Sequence, residues 1–351
     1  MKITADVLES ASTLKRPTHE SRDAFLKRVS HVSLVNKGIG VMENLGLCRN
    51  LSVLYLYDNK ITHITGLSGC LNLSQLYLQN NQIEEIEGLD GGLHALRILH
   101  LHGNSIQYIR GLHNLPSLEH LKLDRQRLSP GQSLEFSQDE FSVPLAASLK
   151  RLSLEGNKIN DIGPIVTLRG LEELDLSDNR IDDAESVEWM VASLPHLHTL
   201  SLSSNPVVVK QPAKLRQRII VAGLALETLN GKPIPENERV FASNFQAAQA
   251  RRHRVQNSKA NSSSDLQTEE SLLDPALAAA DEPKPVPHLP PYATQYRDLI
   301  LQMKGMADLE RVKEQAKVKK ARPVVGRAGI RKRSEVLADL AASAAENVQP
   351  L

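Results

Sequence analysis

The chain has 351 residues, and 42 Lys and Arg offset 41 Asp and Glu to leave a formal charge of +1. That balance excludes partner selection by bulk charge, the device of a strongly basic nucleic-acid binder. Aromatic residues make up only 3% of the chain while leucine is abundant, which points to a repetitive aliphatic core.

The opening stretch, MKITADVLESASTLKRPTHE, has no apolar run of the signal-peptide kind. No segment approaches the ~18 apolar residues of a membrane helix. Cytosolic or nuclear residence is expected, with neither secretion nor a membrane partner. Residues 1–28 place Val7, Leu8, Phe25 and Leu26 around a polar stretch, the make-up of an N-terminal helical cap.

Residues 29–207 repeat the pattern L-x-x-L-x-L-x-x-N-x-I about eight times. Clear copies are LSVLYLYDNKI (51–61), LSQLYLQNNQI (73–83), LRILHLHGNSI (96–106), LKRLSLEGNKI (149–159) and LEELDLSDNRI (171–181). Degenerate copies fall at 29–39, 118–128 and 197–207. The asparagine position runs Lys37, Asn59, Asn81, Asn104, Gln126, Asn157, Asn179, Asn205, in steps of 22 or 23 residues except for 31 and 26. Such a pattern specifies an α/β leucine-rich-repeat solenoid, with short parallel strands on a concave side and helical or 3-10 segments on the convex side. Inward leucines alternate with outward residues along each strand. Each asparagine turns the chain and bonds backbone groups of its neighbours. The following I-x-x-I-x-G-L segments (Ile61/Ile64/Leu67, Ile83/Ile86/Leu89, Ile106/Ile109/Leu112) carry helical spacing. Cys48 and Cys70 occupy the same phase of neighbouring repeats and read as buried thiols.

Between Leu128 and Leu149 the connection is roughly nine residues too long, and a loop with Phe136 and Phe141 is expected on the convex side or an edge. It is either a tolerated insertion or a partner-binding loop. In the 26-residue step, VEWMVASL (187–194) lengthens a convex helix, with Trp189 expected in the core. Residues 208–254 read as a C-terminal cap, a helix and strand over 214–234 and then a further helix whose Val240, Phe241 and Phe245 are available to pack back. Residues 255–351 form a Ser- and Pro-rich, then basic tail, expected to be mostly disordered. Eleven basic residues against three acids at 304–333 either solubilise the chain, contact an acidic polymer such as tubulin or RNA, or act as a nuclear localisation signal.

Alternation along the strands turns one set of residues outward, and these are the candidate partner-binding positions. They grade from Tyr55, Tyr57, Tyr77, Gln79, His100 and His102, through Lys122 and Arg125, to Glu155, Glu173, Asp175 and Asp178. Rigid, amphipathic tyrosines on adjacent strands suit interface anchors. His100, His102 and His120 face the same way, but no acidic or thiol ligand completes a metal set. No P-loop, HExxH, GxSxG or Cys-x-x-Cys motif is present, and no acid/base partner faces the Glu173, Asp175, Asp178 cluster. A binding protein without cofactor is expected, not an enzyme.

The stretches NLSVLYLYDNKITHITGL and NLSQLYLQNNQIEEIEGL, with LETLNGKPIPENER at the end, resemble the SDS22-like leucine-rich repeats of phosphatase regulators and of ciliary or splicing scaffolds. The resemblance covers roughly 29–254. It implies a non-enzymatic regulatory subunit of protein phosphatase 1 complexes linked to microtubules and the centrosome, gripping the catalytic subunit on the concave face. Tyr55, Tyr57, Tyr77, His100 and His102 are the anchors on that reading, with Glu155, Glu173, Asp175 and Asp178 supplying charge complementarity. No clean Arg/Lys-Val/Ile-x-Phe/Trp docking string occurs; in Arg239-Val240-Phe241-Ala242 the phenylalanine comes one place early. The alternatives are a tubulin- or motor-associated scaffold without phosphatase and a ribonucleoprotein component. A face that is not basic and has no aromatic–arginine stacking speaks against nucleic acid.

Overall fold

A computed structural model of the chain describes residues 1–137, 143–210, 212–248 and 251, with only the backbone described at 143 and 144. Phe141 and the whole of 255–351, including the basic run 304–333, lie outside the described residues.

Two short helices come first, α1 (Ala5–Ala11) and α2 (Arg22–Arg28). Thr4 and Ser21 cap them, each side-chain oxygen accepting from a backbone N–H three residues on. Leu8, Phe25 and Leu26 are buried, whereas Val7 is half-buried. The N-terminal ammonium donates to Gly38 O at 3.0 Å and Asn44 Nδ2 to Ile3 O at 2.7 Å, so this segment is tied onto the first repeat.

The strands follow at each repeat: β1 (His31–Ser33), β2 (Val53–Tyr55), β3 (Gln75–Tyr77), β4 (Ile98–His100), β5 (Tyr108–Ile109), β6 (His120–Lys122), β7 (Glu135–Phe136), β8 (Arg151–Ser153), β9 (Glu173–Asp175), β10 (Thr199–Ser201), β11 (Thr228–Leu229) and β12 (Lys232–Pro233). Ten of them form one sheet in the order β1-β2-β3-β4-β6-β8-β9-β10-β11-β12, parallel except for the β11–β12 pair. Register is kept from repeat to repeat: Ser33, Tyr55, Tyr77, His100, Lys122, Ser153, Asp175 and Ser201 align in one row. Inward leucines 54, 76, 99, 121, 152, 174 and 200 are at most 3% exposed. This is the leucine-rich-repeat fold, a quasi-one-dimensional stack in which each turn buries its apolar side on the next.

The asparagines form a buried ladder. Asn81 Oδ1 accepts from Ile61 N at 3.0 Å, while its Nδ2 donates to Leu56 O at 3.0 Å and Leu78 O at 2.9 Å. Asn59, Asn104, Asn157, Asn179 and Asn205 make the same kind of bonds. Gln126 substitutes with a longer arm, accepting from Ile106 N and donating to Leu101 O and Leu123 O, each at 3.0 Å. Asn230 aligns with Ser201, outside the ladder, and its Oδ1 accepts from Leu202 N where earlier strands use a backbone carbonyl, so β11 adds a ninth, shortened strand.

On the convex side, 3-10 turns occur at Leu45–Leu47 and Gly163–Thr167 and helices at α3 (Val143–Ser148) and α4 (Ala184–Ser193). The I-x-x-I-x-G-L segments are irregular with bends instead of regular helix, the third carrying β5, although all nine of their Ile and Leu residues are buried. Their glycines explain the path. Gly66, Gly88 and Gly111 have φ of +71°, +66° and +80°, and a Cβ there would sit 2.9, 2.0 and 2.1 Å from the carbonyl oxygen of Met42, Ile64 and Ile86. Only glycine permits that left-handed turn against the preceding repeat. Cys48 and Cys70 are both buried, and burial pushes each thiol up to about 11.

Three readings of local packing need correction. The long connection is not a free loop, because β7 pairs in parallel with β5 as a separate two-stranded sheet. Trp189 is only half-buried, since Val187, Met190 and Val191 take the inward face of α4. After α5 (Pro206–Lys210) and α6 (Pro212–Ala222), residues 236–248 are helical, but Val240, Phe241 and Phe245 do not pack back: they are 51%, 58% and 42% exposed.

Candidate functional site: the outward sheet face

Parallel pairing stacks equivalent outward side chains about one strand spacing apart, ~4.8 Å. Tyr55 and Tyr77 sit opposite each other in β2 and β3, with ring centroids 4.9 Å apart and planes 18° from parallel. Tyr57 meets the edge of Tyr55 at 6.3 Å, and His100 meets Tyr77 edge-on at 4.9 Å. His102 lies 6.0 Å from His100. The five rings thus make one continuous stripe across three repeats, and all five side chains are half-buried.

The stripe carries no charge at neutral pH. Burial drives the His100 imidazole down to about 4, reinforced by the neighbouring His102, Lys122 and His120. Burial also lowers His102 and His120 and raises the Tyr77 phenol. The Tyr77 hydroxyl donates to Gln75 Oε1 at 3.0 Å, which fixes its ring. Gln79 Oε1 and His102 Nδ1, in equivalent positions of adjacent repeats, are buried with no hydrogen-bond partner.

Beyond the stripe the charges are zipped into pairs. Lys122 Nζ lies 3.1 Å from Asp124, Arg151 Nε 3.0 Å from Glu173, and the Arg125 guanidinium bonds the Glu155 carboxylate. Asp124 points outward by its place in the repeat yet is only 4% exposed, because Glu155 N also donates to its Oδ1. Asp175 Oδ1 is taken up by Ser177 N at 2.9 Å. Asp178 stands exposed at φ +54°, beside Gly156. The acidic end is therefore more neutralised than the row of acids suggests. Sequence reasoning missed these pairs, although their partners fall in the same or adjacent outward columns once the repeats are aligned.

Among the described residues no group of three or more His, Cys, Asp or Glu could hold a metal ion, and no helix is long and apolar enough to cross a membrane. The outward face thus combines stacked rings with paired charges.

By its fold the chain is a leucine-rich-repeat protein. The family model for leucine-rich repeats in two copies matches residues 49–91 and 147–189. A dynein axonemal assembly factor 1 homolog of Drosophila pseudoobscura pseudoobscura is 27% identical over 173 residues, and its Drosophila melanogaster counterpart 30% over 127 residues. Those matches take in 48% and 35% of this chain but span only 11% and 8% of the relatives' length. Among solved structures, an internalin (inlF) from Listeria monocytogenes aligns with a TM-score of 0.49 at 24% identity, covering 64% of this chain and 67% of that one.

Proposed function

We infer that the chain is a non-enzymatic scaffold that grips a folded protein partner on the outward face of its sheet, with Tyr55, Tyr57, Tyr77, His100 and His102 as the anchoring stripe. The observation that carries this reading is the unbroken ring stack from Tyr57 to His102. Pre-stacked rings lose little side-chain freedom on binding, which removes one of the costs of forming an interface. The two orphaned atoms, Gln79 Oε1 and His102 Nδ1, support the same site. Either atom can take a hydrogen bond from a partner group that reaches it after a rotamer change. Arg125, Glu155, Glu173 and Asp178 border the stripe as a zipped, polar rim.

The partner we assign is the catalytic subunit of protein phosphatase 1. The support is the SDS22-like repeat pattern and, more narrowly, a resemblance to protein phosphatase 1 regulatory subunit 42, a testis leucine-rich repeat protein, which carries with it a cytoplasmic, centrosomal setting. A short-motif docking mode is disfavoured, because the Arg239-Val240-Phe241 string lies within a helix and Arg239 is spent on backbone carbonyls. The similarity to dynein axonemal assembly factor 1 favours a second reading, a cytoskeletal motor or tubulin partner for the same face. Immobilised full-length chain, challenged with purified phosphatase catalytic subunit and with tubulin, separates the two. Phosphatase capture that is lost on replacing the three tyrosines with alanine supports the first reading; capture of tubulin alone retires it.

A further inference from the structure

The helix at 236–248 is fastened by polar contacts that leave its apolar side turned to solvent. Arg239 donates to Gly223 O at 3.1 Å and Leu226 O at 2.6 Å, carbonyls of the turn that follows α6. Arg216 grips Glu238 through two bonds at 2.6 and 2.8 Å. Ala242 is buried, while Val240, Phe241 and Phe245 stay exposed and the two phenyl rings stack at 6.1 Å. Beside them lies a cleft of about 380 Å³ between this helix and α6, walled by Val221, Ala242 and Phe245. Its rim holds Lys214 and an Arg218 already neutralised by Glu188 at 2.6 Å. Exposed Arg251 ends the described helical residues, and Arg252, His253 and Arg254 follow in sequence.

Two stacked phenylalanines bordered by net positive charge fit an acidic segment that carries leucines. This chain contains one nearby: residues 265–282, DLQTEESLLDPALAAADE, hold six acids, no base and four leucines. We propose that residues 265–282 dock on the Phe241/Phe245 face of their own chain, Leu272 and Leu273 against the rings and the carboxylates towards Lys214 and Arg251. The 13 residues from 252 to 264 can span at most about 45 Å, well over the ~20 Å length of a 13-residue helix. Tethering at that length raises the local concentration of the segment to roughly the millimolar range, so even weak contacts hold it in place. No residue is shared with the outward sheet face, so this docking stands independently of the function assigned to that face.

Full-length chain with a photoreactive phenylalanine analogue at position 245 tests the docking, because that side chain faces solvent and tolerates the change. Irradiation in dilute solution followed by peptide mass spectrometry is expected to join position 245 to residues 265–282 within one chain. Leu272→Ser with Leu273→Ser is expected to abolish that product, and added salt to diminish it. Cross-linking to helix 236–248 of a second copy would overturn the proposal in favour of a dimer contact. Products elsewhere in the chain, or none, would overturn it as well.

Discussion

Tyr55 and Tyr77, 22 residues apart in sequence, stack at 4.9 Å with nearly parallel planes because they pair across β2 and β3. Their neighbours Leu54 and Leu76 pair in the same register but face inward and are fully buried. Tyr77→Ala is therefore expected to cost about 1 kcal/mol of stability, the scale of one aromatic pair. Leu76→Ala, one residue away, is expected to cost about 2–5 kcal/mol through the cavity it leaves. Urea unfolding of the two variants reads the difference directly.

The asparagine ladder makes a sharper demand. Asn81→Ala strands the Ile61 N–H inside the stack, while the Leu56 and Leu78 carbonyls lose one donor each but keep Asn59 Nδ2 and Asn104 Nδ2. A loss of about 1–3 kcal/mol follows, the cost of one orphaned buried N–H. Asn81→Gln is expected to lose less, because Gln126 already satisfies the same three kinds of group in its own repeat.

Glycine in the convex segments is a steric requirement. A Cβ at Gly88 would meet Ile64 O at 2.0 Å with φ at +66°, whereas Gly38, at φ +64°, has open space around it. Gly38→Ala should cost only the left-handed backbone penalty, about 1–2 kcal/mol. Gly88→Ala should cost clearly more and disturb the stacking of the second and third repeats, seen as faster hydrogen exchange at Ile61 and Gln82, whose amides bond across them.

Acid should loosen the ring stripe. The native His100 imidazole titrates near 4, chiefly because it is buried, against about 6.5 in an unfolded chain. Between those values the unfolded state binds a proton that the native state does not, so stability falls as pH drops from about 6.5 towards 4. Below that window the loss is complete, and above it the contribution is constant. His100→Phe, which keeps a ring against Tyr77, is expected to flatten the slope; an unchanged slope in thermal melts across that range would assign it to other groups.

Much of this molecule could be read from periodicity alone. A 22-residue repeat places Leu54, Leu76 and Leu99 inward and Tyr55, Tyr77 and His100 outward with no further information, and the asparagine steps locate the ladder. What stayed hidden depends on three-dimensional neighbours. Arg125 and Glu155 are separated by the long connection, so their pairing needs the register across it. The Trp189 side chain has helical spacing compatible with either face, and burial of Val187 and Met190 decides the matter. The outward turn of Phe241 and Phe245 follows from Arg239 and Arg216 fastening the opposite side of their helix, contacts no local pattern announces.

Titration of full-length chain into purified phosphatase 1 catalytic subunit, beside the variant carrying Tyr55→Ala, Tyr57→Ala and Tyr77→Ala, tests the anchoring stripe most directly. Anchors at an interface centre are each worth about 2 kcal/mol or more, so the variant should bind at least ~100-fold more weakly while keeping its fold. Full affinity in the folded variant, or no binding by the native chain, would contradict the account.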